Sequence, residues 1–369
     1  MNARRHLDYA LELLSLPTSP CNEGAVAAWV ERFVARRKAL TLSRDRWGNL
    51  LVRYSGVGRP ARTGRPLVFC AHMDHPGFTA TGTDAAGRVT ARWMGGVPLE
   101  LLKGRRVRFH SAGRWVRGRI VAVAPQAADR ITADVTIETK SPVAVGAVGM
   151  WDFPDARVVG TRIVARGCDD VGGVASLVAL LDEAVRRRMP GNFHVLLTRA
   201  EEWGFVGAIA ACKSASLPSG AVVISVETSK ELPTARQGEG PIIRVGDRAS
   251  IFTPDVTDLL VRAAQSVRQA DPTFKFQRRL MDGGICEAPV FTESGYPAGG
   301  LCLALGNYHN VTPDGKDIGA EYIDARDFAG LVRLYLAVVE THHRPRPKRS
   351  SFRERWETIF RDRKSFLAK

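Results

Sequence analysis

The sequence predicts an α/β fold in which helices cover a mixed β-sheet and a small β-barrel-like domain is inserted into the chain. Short apolar runs rich in Val, Ile and Leu alternate with segments whose apolar residues recur at helical spacing. This alternation is typical of strands that are buried on both faces between helices. From 77 to 161 the helical spacing stops, and short β-rich segments are separated by turns that contain Gly and Asp. That second pattern favours a small barrel or sandwich.

Four apolar runs are predicted as buried strands, and ionisable residues stand at the carboxyl end of each. The runs are RPLVFCAHMD, NFHVLLTRAEE, GAVVISVETS and GGLCLALGNYHN. Helical periodicity predicts helices over 171–185, 256–270 and 325–339. The Pro190-Gly191 pair is expected to end the first of these helices.

The order of these elements predicts a discontinuous α/β domain formed by 1–76 and 162–340, with 77–161 inserted as a separate β domain. The remaining segment, 341–369, has ten Lys or Arg and three Asp or Glu, which gives +7 of the net charge of +15. It begins with the Pro/Arg-rich linker HHRPRPKR and continues as a short basic helix with an apolar stripe. The stripe consists of Phe352, Trp356, Ile359 and Phe360. Three interpretations stay open, namely docking on the body or a subunit partner, contact with an anionic membrane, and nucleic-acid binding.

Length and composition exclude several classes of protein. A chain of 369 residues with 45% hydrophobic residues can bury one large core or two ordinary ones. No apolar run reaches the ~20 residues that a membrane helix needs. The N-terminal apolar residues are interrupted by Asp8 and Glu12, which predicts an amphipathic helix rather than a signal peptide. Six scattered cysteines without a CxxC pair are typical of reduced thiols, and we expect a cytoplasmic protein.

The ionisable residues that close the four strands are expected to meet in space. They are His72, Glu201, Glu202, Glu227 and His309. Open α/β sheets bind ligands in the crevice outside the carboxyl ends of their strands. One such residue would be an ordinary strand end, but two histidines and three glutamates together predict a ligand set.

The segment GCDDVGGV places Asp169 and Asp170 directly before the first predicted helix. One Asp is explained as a helix N-cap, whereas two between glycines indicate a carboxylate that faces positive charge. Imidazole and carboxylate ligands suit zinc, and also cobalt or manganese. Two such ions ~3.5–4 Å apart need a carboxylate that touches both. Asp74, on the same side of its strand as His72, is predicted to orient the imidazole, with a simple turn-forming Asp as the alternative.

Glu201 and Glu202 are neighbours at the end of a predicted strand, so we expect their side chains to point to opposite sides. One of the two can then bind a metal while the other takes the proton of the attacking water. The pattern therefore predicts a metal-dependent hydrolase with two acids in two roles.

Five motifs together resemble the co-catalytic di-zinc exopeptidases, and most closely the glutamyl and tetrahedral aminopeptidases. They are AHMDHPGF, GCDDVGG, AEEWGFVGA, SVETS and NYHN. They occur in the order found in that family, and the resemblance covers nearly all of the chain before the basic tail. It implies a helix-covered metallopeptidase domain with two divalent metal ions per chain, zinc first, with cobalt or manganese as alternatives.

The resemblance also implies which residues bind metal. One ion would be held by His72, Asp169 and Glu227. The other would be held by Asp169, Glu202 and His309, so that Asp169 bridges the pair.

Two further residues would act in catalysis. Glu201 would be the general base, and Asp74 would be the partner that orients His72. The resemblance also implies a cis peptide bond between Asp169 and Asp170.

Some positions depart from the aminopeptidase pattern. Glu227 stands where that branch usually has Asp, whereas related carboxypeptidases and deacylases have Glu at this position. His75 stands where the aminopeptidase branch usually has Glu. Cys286 and Glu287 replace a Thr-Asp pair. We expect a carboxylate to hold the free ammonium of the substrate, and Glu287 or the neighbourhood of His75 is the candidate.

The resulting prediction is an aminopeptidase that acts on short peptides or aminoacyl amides. The resemblance also implies a homo-oligomer that assembles through the inserted domain. The alternative within the same architecture is a carboxypeptidase or deacylase-type amidohydrolase. The alternative from another class is a catalytically inactive binding protein that contacts a polyanion through 341–369.

Overall fold

The computed structural model describes residues 2–56, 64–125, 131–344 and 352–368. Numbered along the chain, the strands of its main sheet are β1 Leu40–Arg44, β2 Leu50–Ser55, β3 Leu67–His72, β12 Asn192–Thr198, β13 Val222–Lys230, β14 Ile242–Asp247, β15 Gln277–Met281 and β16 Ala298–Leu305. Their spatial order is β1-β2-β12-β3-β13-β16-β14-β15. The sheet is mixed, as predicted, because β12, β3, β13 and β16 run parallel while β2 and β14 pair antiparallel at either side.

Six further strands form a closed barrel in the predicted insert. They are β4 Gly77–Thr83, β5 Val89–Met94, β6 Arg106–Ser111, β7 Arg114–Pro125, β8 Thr132–Thr139 and β9 Val148–Trp151. Aromatic side chains fill the interior, with the Trp93 ring 4.7 Å from Phe78 and 5.2 Å from Trp151. A small barrel closes around side chains rather than around a channel. The domain limits at 77 and 161 stay predictions, since the barrel strands end at Trp151.

A separate three-stranded sheet joins the end of the insert to the α/β part. Its strands are β10 Arg157–Val159, β11 Arg162–Ala165 and β17 Glu321–Asp324, in the order β10-β11-β17. Residues 157–159 therefore pair with the main domain rather than with the barrel. This sheet leads the chain from the barrel into the segment that contains Asp169.

The helices are α1 Ala3–Leu14, α2 Gly24–Ala35, α3 Val171–Arg187, α4 Val206–Lys213, α5 Pro254–Ala270, α6 Ala288–Glu293, α7 Ala325–His343 and α8 Phe352–Arg363. Three of them, α3, α5 and α7, are the helices predicted by periodicity, and α1 is the predicted amphipathic N-terminal helix. The α3 helix ends at Arg187, before Pro190-Gly191. The α7 helix continues to His343 and so includes the first residues of the predicted linker.

The central strand β3 is buried on both faces, as its apolar run predicts. Leu67, Phe69 and Ala71 belong to the core on the side of α1, α2, α3, α5 and α7. Val68 and Cys70 belong to the smaller core beneath α4 and α6. This two-sided burial fixes the strand, and His72 at its end projects from a rigid support.

The basic tail forms the predicted helix, α8, and three side chains of its apolar stripe are exposed. Trp356, Ile359 and Phe360 are 58%, 40% and 60% exposed. The linker at 345–351 and the side chain of Phe352 lie outside the described residues. Within the described ranges, no helix is both long and apolar enough to cross a membrane.

Candidate metal centre

The sequence-predicted ligands come together at the carboxyl edge of the parallel strands. His72 ends β3, and the register pairs it with Thr198 at the end of β12. His72 lines a cavity of about 410 Å³ together with Asp169 and Glu201. The cavity-lining side chains that carry metal-binding or acid–base groups are His72, Asp169, Glu201, Glu202, Glu227 and His309. The expectation that these strand ends meet is therefore confirmed by the geometry.

The two oxygens of Asp169 face two different imidazoles. Oδ1 lies 3.5 Å from Nε2 of His72, and Oδ2 lies 3.7 Å from Nε2 of His309. Donor atoms that share a tetrahedral zinc at ~2.0–2.1 Å are separated by ~3.3 Å. A carboxylate with one oxygen toward each imidazole thus has the geometry of a bridge.

Each imidazole has a further carboxylate beside it. Nε2 of His72 is 3.8 Å from Oε2 of Glu227, and Nε2 of His309 is 3.3 Å from Oε2 of Glu202. Possible ligand atoms of His72, Asp169 and Glu202 all lie within 4.8 Å of one another. The same holds for His72, Asp170 and Glu227, so Asp170 also lies close to His72 and Glu227.

Asp170 is already engaged as a helix cap. Its Oδ1 accepts a hydrogen bond of 3.1 Å from the backbone N–H of Gly173, in the first turn of α3. This is the N-cap role that one of the two adjacent Asp residues was predicted to take. The peptide bond between Asp169 and Asp170 is cis, as the resemblance implies, and Asp169 remains free to face both imidazoles.

Buried carboxylate oxygens at this site are left without hydrogen-bond donors. Among the described residues no donor reaches Oδ1 of Asp169, Oε1 of Glu202, Oε1 of Glu227 or Oδ2 of Asp170. Buried charges of one sign are costly unless an opposite charge compensates them. Divalent cations would supply that charge, so the residues present fit a metal centre.

The pKa values of the buried glutamates agree with the need for a compensating positive charge. Burial raises the pKa of Glu201 to about 8 and raises the pKa values of Glu202 and Glu227 well above the ordinary range. Burial lowers the pKa of His309 to about 4. His309 is therefore neutral at pH 7, which is the form that binds a metal.

The side chains of Glu201 and Glu202 were predicted to point to opposite sides because of strand alternation, but the structure gives a different basis for their directions. Strand β12 ends at Thr198, and the two glutamates lie in a turn in which Glu201 O accepts from the N–H groups of Gly204 and Phe205. The alternation of an extended strand therefore does not apply to them. The turn, rather than the strand, directs Glu202 toward His309.

Asp74 holds this turn. Its carboxylate oxygens accept the backbone N–H groups of Glu201 and Glu202, each at 3.0 Å. Nδ1 of His72 lies 3.5 Å from the same carboxylate but 3.2 Å from the backbone oxygen of Asp74. Asp74 thus orients His72 mainly through its main chain, and its side chain fixes both acids.

Glu287 and His75 do not line the cavity, which corrects their predicted substrate-binding roles. Glu287 is wholly buried and accepts the thiol of Cys70 at 3.2 Å. Both ring nitrogens of His75 are used inside the protein, by the backbone oxygen of Asp169 at 2.6 Å and by Oδ1 of Asn310 at 2.9 Å. His75 therefore supports the metal-site backbone instead of reaching the substrate.

Sequence reasoning missed two buried residues that hold the Asp169 loop. Glu321 on β17 accepts the backbone N–H groups of Cys168 and Asp169. Asn310 contacts His75, and its amide donates to the backbone oxygens of Arg166 and Gly319. Asn310 directly follows His309 in the NYHN motif, which was a usable signal, whereas Glu321 carries none.

Comparison with known proteins places the chain among peptidases. The model of the M42 glutamyl aminopeptidase family matches residues 48–318, which is well over half of the chain. A curated protein of Acetivibrio thermocellus, named provisionally as an aminopeptidase, is 24% identical over 280 residues, which cover 72% of this chain and 80% of the relative.

Solved structures show the same fold. The chain is similar to an aminopeptidase of the archaeon Desulfurococcus kamchatkensis, with a TM-score of 0.73, 22% identity, and coverage of 92% of this chain and 95% of the other. It is also similar to the Pyrococcus horikoshii TET1 peptidase, which can assemble into a tetrahedron or a large octahedral shell, with a TM-score of 0.72, 20% identity, and coverage of 90% and 99%. With the family match and the metal-centre geometry, the chain belongs to the M42 glutamyl aminopeptidase family and is a metal-dependent aminopeptidase.

Proposed function

We propose that the chain removes the N-terminal residue of short peptides with two divalent cations, zinc first and cobalt or manganese as alternatives. One cation would be held by His72, Asp169 and Glu227. The second would be held by Asp169, Glu202 and His309. The observation that carries this proposal is the placement of the two Asp169 oxygens, each toward a different imidazole.

Glu201 is proposed as the general base. Its carboxylate lines the cavity and lies 3.7 Å from Nε2 of His72, beside the proposed ligands. When bound, two divalent cations supply Lewis acidity and lower the pKa of water at the site from ~15.7 toward ~7. Glu201 then takes the proton of the attacking water and gives it to the amine that departs when the peptide C–N bond breaks.

The turn geometry supports this division of labour. Asp74 fixes the backbone of both glutamates through two hydrogen bonds of 3.0 Å. A base that is already held in position pays no further entropy cost of orientation when the reaction begins. Asp74 is therefore proposed as a positioning residue for Glu201 and Glu202 as well as for His72.

Removing the metal should abolish hydrolysis of aminoacyl amides, and adding zinc or cobalt back should restore it. The physical reason is that the buried acids cannot activate water alone at neutral pH. The measurement is release of amine from alanyl and glutamyl amides before chelation, after chelation and after reconstitution.

Substrates with a blocked amine provide the control. An aminopeptidase should refuse N-acetylated versions of the same amides, whereas a deacylase should accept them. The family match does not favour the deacylase, the carboxypeptidase or the inactive binding protein. Full activity in chelator, or equal rates on blocked substrates, would contradict the proposal.

Three cationic side chains also line the cavity, and they are the basis for a proposal about the substrate class. Lys230, Arg244 and Arg248 all line it. Arg244 is only 2% exposed, its Nη1 donates to Oγ of Ser229 at 3.0 Å, and its Nε has no partner in the described chain. A buried guanidinium N–H without a hydrogen-bond acceptor is costly. An acidic first residue of the substrate would pair with it, in agreement with the glutamyl label of the family.

Replacing Arg244 with Gln should reverse the preference for acidic substrates. Truncating one member of a buried charge pair costs at least ~2 kcal/mol, or about 30-fold. We expect kcat/KM for a glutamyl amide to fall by at least that factor, and kcat/KM for an alanyl amide to change little. The control is Arg268→Gln, an exposed arginine outside the cavity. Equal losses on both amides would count against a specificity role.

Assembly and location stay proposals. The similarity to a TET peptidase that forms shells supports a homo-oligomer, and the cytoplasmic location predicted from the sequence is kept. The exposed apolar stripe of α8 is compatible with a subunit contact. Size-exclusion chromatography of the full chain and of a chain ending at residue 344 tests whether α8 takes part.

A further inference from the structure

The segment that carries His309 is held in an unusual backbone conformation. Asn307, His309 and Asn310 have φ angles of 54°, 53° and 63°. Such positive φ values are uncommon outside glycine, although Asn and His tolerate them better than most residues, and strained backbone persists only where its surroundings fix it. Here the side-chain amides of both asparagines do so. Asn307 donates to Ala320 O at 2.8 Å, and Asn310 donates to Gly319 O at 3.1 Å.

Tyr308 and His309 lie between these anchors, and the side chain of Tyr308 lines the metal-centre cavity. The ring stacks on the imidazole of His309, with centroids 3.9 Å apart and planes inclined by 24°. Tyr308 lines the same cavity as Asp169 and Glu201. The stacking fixes the ring beside a proposed metal ligand, so the position of the hydroxyl is defined before substrate arrives.

The hydroxyl of Tyr308 approaches the opposite loop and makes no hydrogen bond with any described residue. A Cβ built on Gly284 would lie 3.1 Å from Oη of Tyr308. Gly284 therefore leaves room for the hydroxyl at the cavity wall. A polar group that is preorganised in a reaction cavity and has no protein partner is available to a substrate.

We propose that Tyr308 is a catalytic residue whose hydroxyl donates a hydrogen bond to the carbonyl oxygen of the scissile bond as negative charge develops there. The inference rests on the proposed function and adds a donor from the chain itself. The hydroxyl keeps its proton throughout, and no bond to Tyr308 forms or breaks. Its contribution is electrostatic, and such donors act mainly in the transition state.

The test is Tyr308→Phe, which keeps the ring that stacks on His309 and removes only the oxygen. Loss of one oxyanion donor typically lowers kcat by about 10²–10³. We expect that fall in kcat on a glutamyl amide, with KM within about twofold of wild type and with unchanged metal content. The matched control is Tyr322→Phe, since Tyr322 lies in the neighbouring cavity and packs against Arg162 at 4.3 Å. A Tyr308→Phe enzyme with wild-type kcat, or with only a raised KM, would overturn the inference.

A second pair of variants keeps the tyrosine. Gly284→Ala should displace the hydroxyl and lower kcat, because the new Cβ meets Oη at 3.1 Å. Gly283→Ala is the comparison, because its Cβ would meet Lys230 at 3.4 Å and Leu232 at 3.5 Å but not Tyr308. Equal kcat values in the two alanine variants would overturn the inference. A metal-loaded wild type that hydrolyses no aminoacyl amide would instead sink the proposed function.

Discussion

Replacing Glu201 with Gln should remove nearly all turnover while both cations stay bound. The amide keeps the size of the side chain, and the backbone hydrogen bonds to Asp74 are unaffected. It cannot accept the proton of the attacking water. General-base catalysis typically contributes about 10²–10⁴-fold, and we expect kcat on a glutamyl amide to fall by that factor. KM should change little, since the proposed contacts of the substrate's first residue are with Lys230, Arg244 and Arg248 rather than with Glu201.

The decisive comparison is between turnover and metal content in the same preparation. Elemental analysis should give the wild-type metal content for Glu201→Gln, because its carboxylate is not among the proposed ligands. The control is Glu293→Gln, an exposed glutamate at the end of α6. If Glu201→Gln turned over at the wild-type rate, another group would have to be the base. Loss of metal together with activity would make Glu201 a ligand.

The strands that carry the site could be predicted from the sequence, because each is marked by a local run of apolar residues. Runs such as that of β3 are buried on both faces, and a buried strand must be apolar at every position. The polar residues that end such runs are then conspicuous, as His72 is. The helix α3 was equally predictable, since its apolar stripe and the cap at Asp170 both lie within one short segment.

What could not be predicted depends on contacts between distant parts of the chain. The N–H groups of Cys168 and Asp169 are bound by Glu321, more than 150 residues away. Nothing near Glu321 indicates that role, because β17 is brought to the site by long-range contacts such as its pairing with β11. His75 was misassigned for the same reason, since its partner Asn310 is 235 residues distant.

The turn at Glu201 shows a second limit. Periodicity locates a strand but not its last residue, and β12 ends at Thr198, before both glutamates. Ala200 adopts a φ of 48°, so the chain reverses there. The prediction that the two acids differ in role stays a proposal, and the structural reason for their different directions is the turn with its Asp74 hydrogen bonds rather than strand alternation.

Replacing Asp169 with Ala should remove both metal positions at once, whereas Glu202→Ala should remove mainly one. Asp169 faces both imidazoles, whereas the imidazole within ion-pair distance of Glu202 is that of His309, at 3.3 Å. We expect close to two metals per chain in the wild type after dialysis against zinc, about one in Glu202→Ala and close to none in Asp169→Ala. The exposed helical residue Asp8 provides the control variant, Asp8→Ala.

Thermal unfolding of the same variants separates loss of metal from loss of fold. In chelator, Asp169→Ala should be no more stable than the wild type, because it removes the carboxylate that faces the imidazoles of His72 and His309. In excess zinc the difference should widen, since a ligand at 100 times its Kd stabilises the native state by about 2.7 kcal/mol per site. The wild type would gain this for each bound cation and Asp169→Ala would not. If zinc raised the unfolding temperature of both proteins equally, Asp169 could not be the bridging ligand.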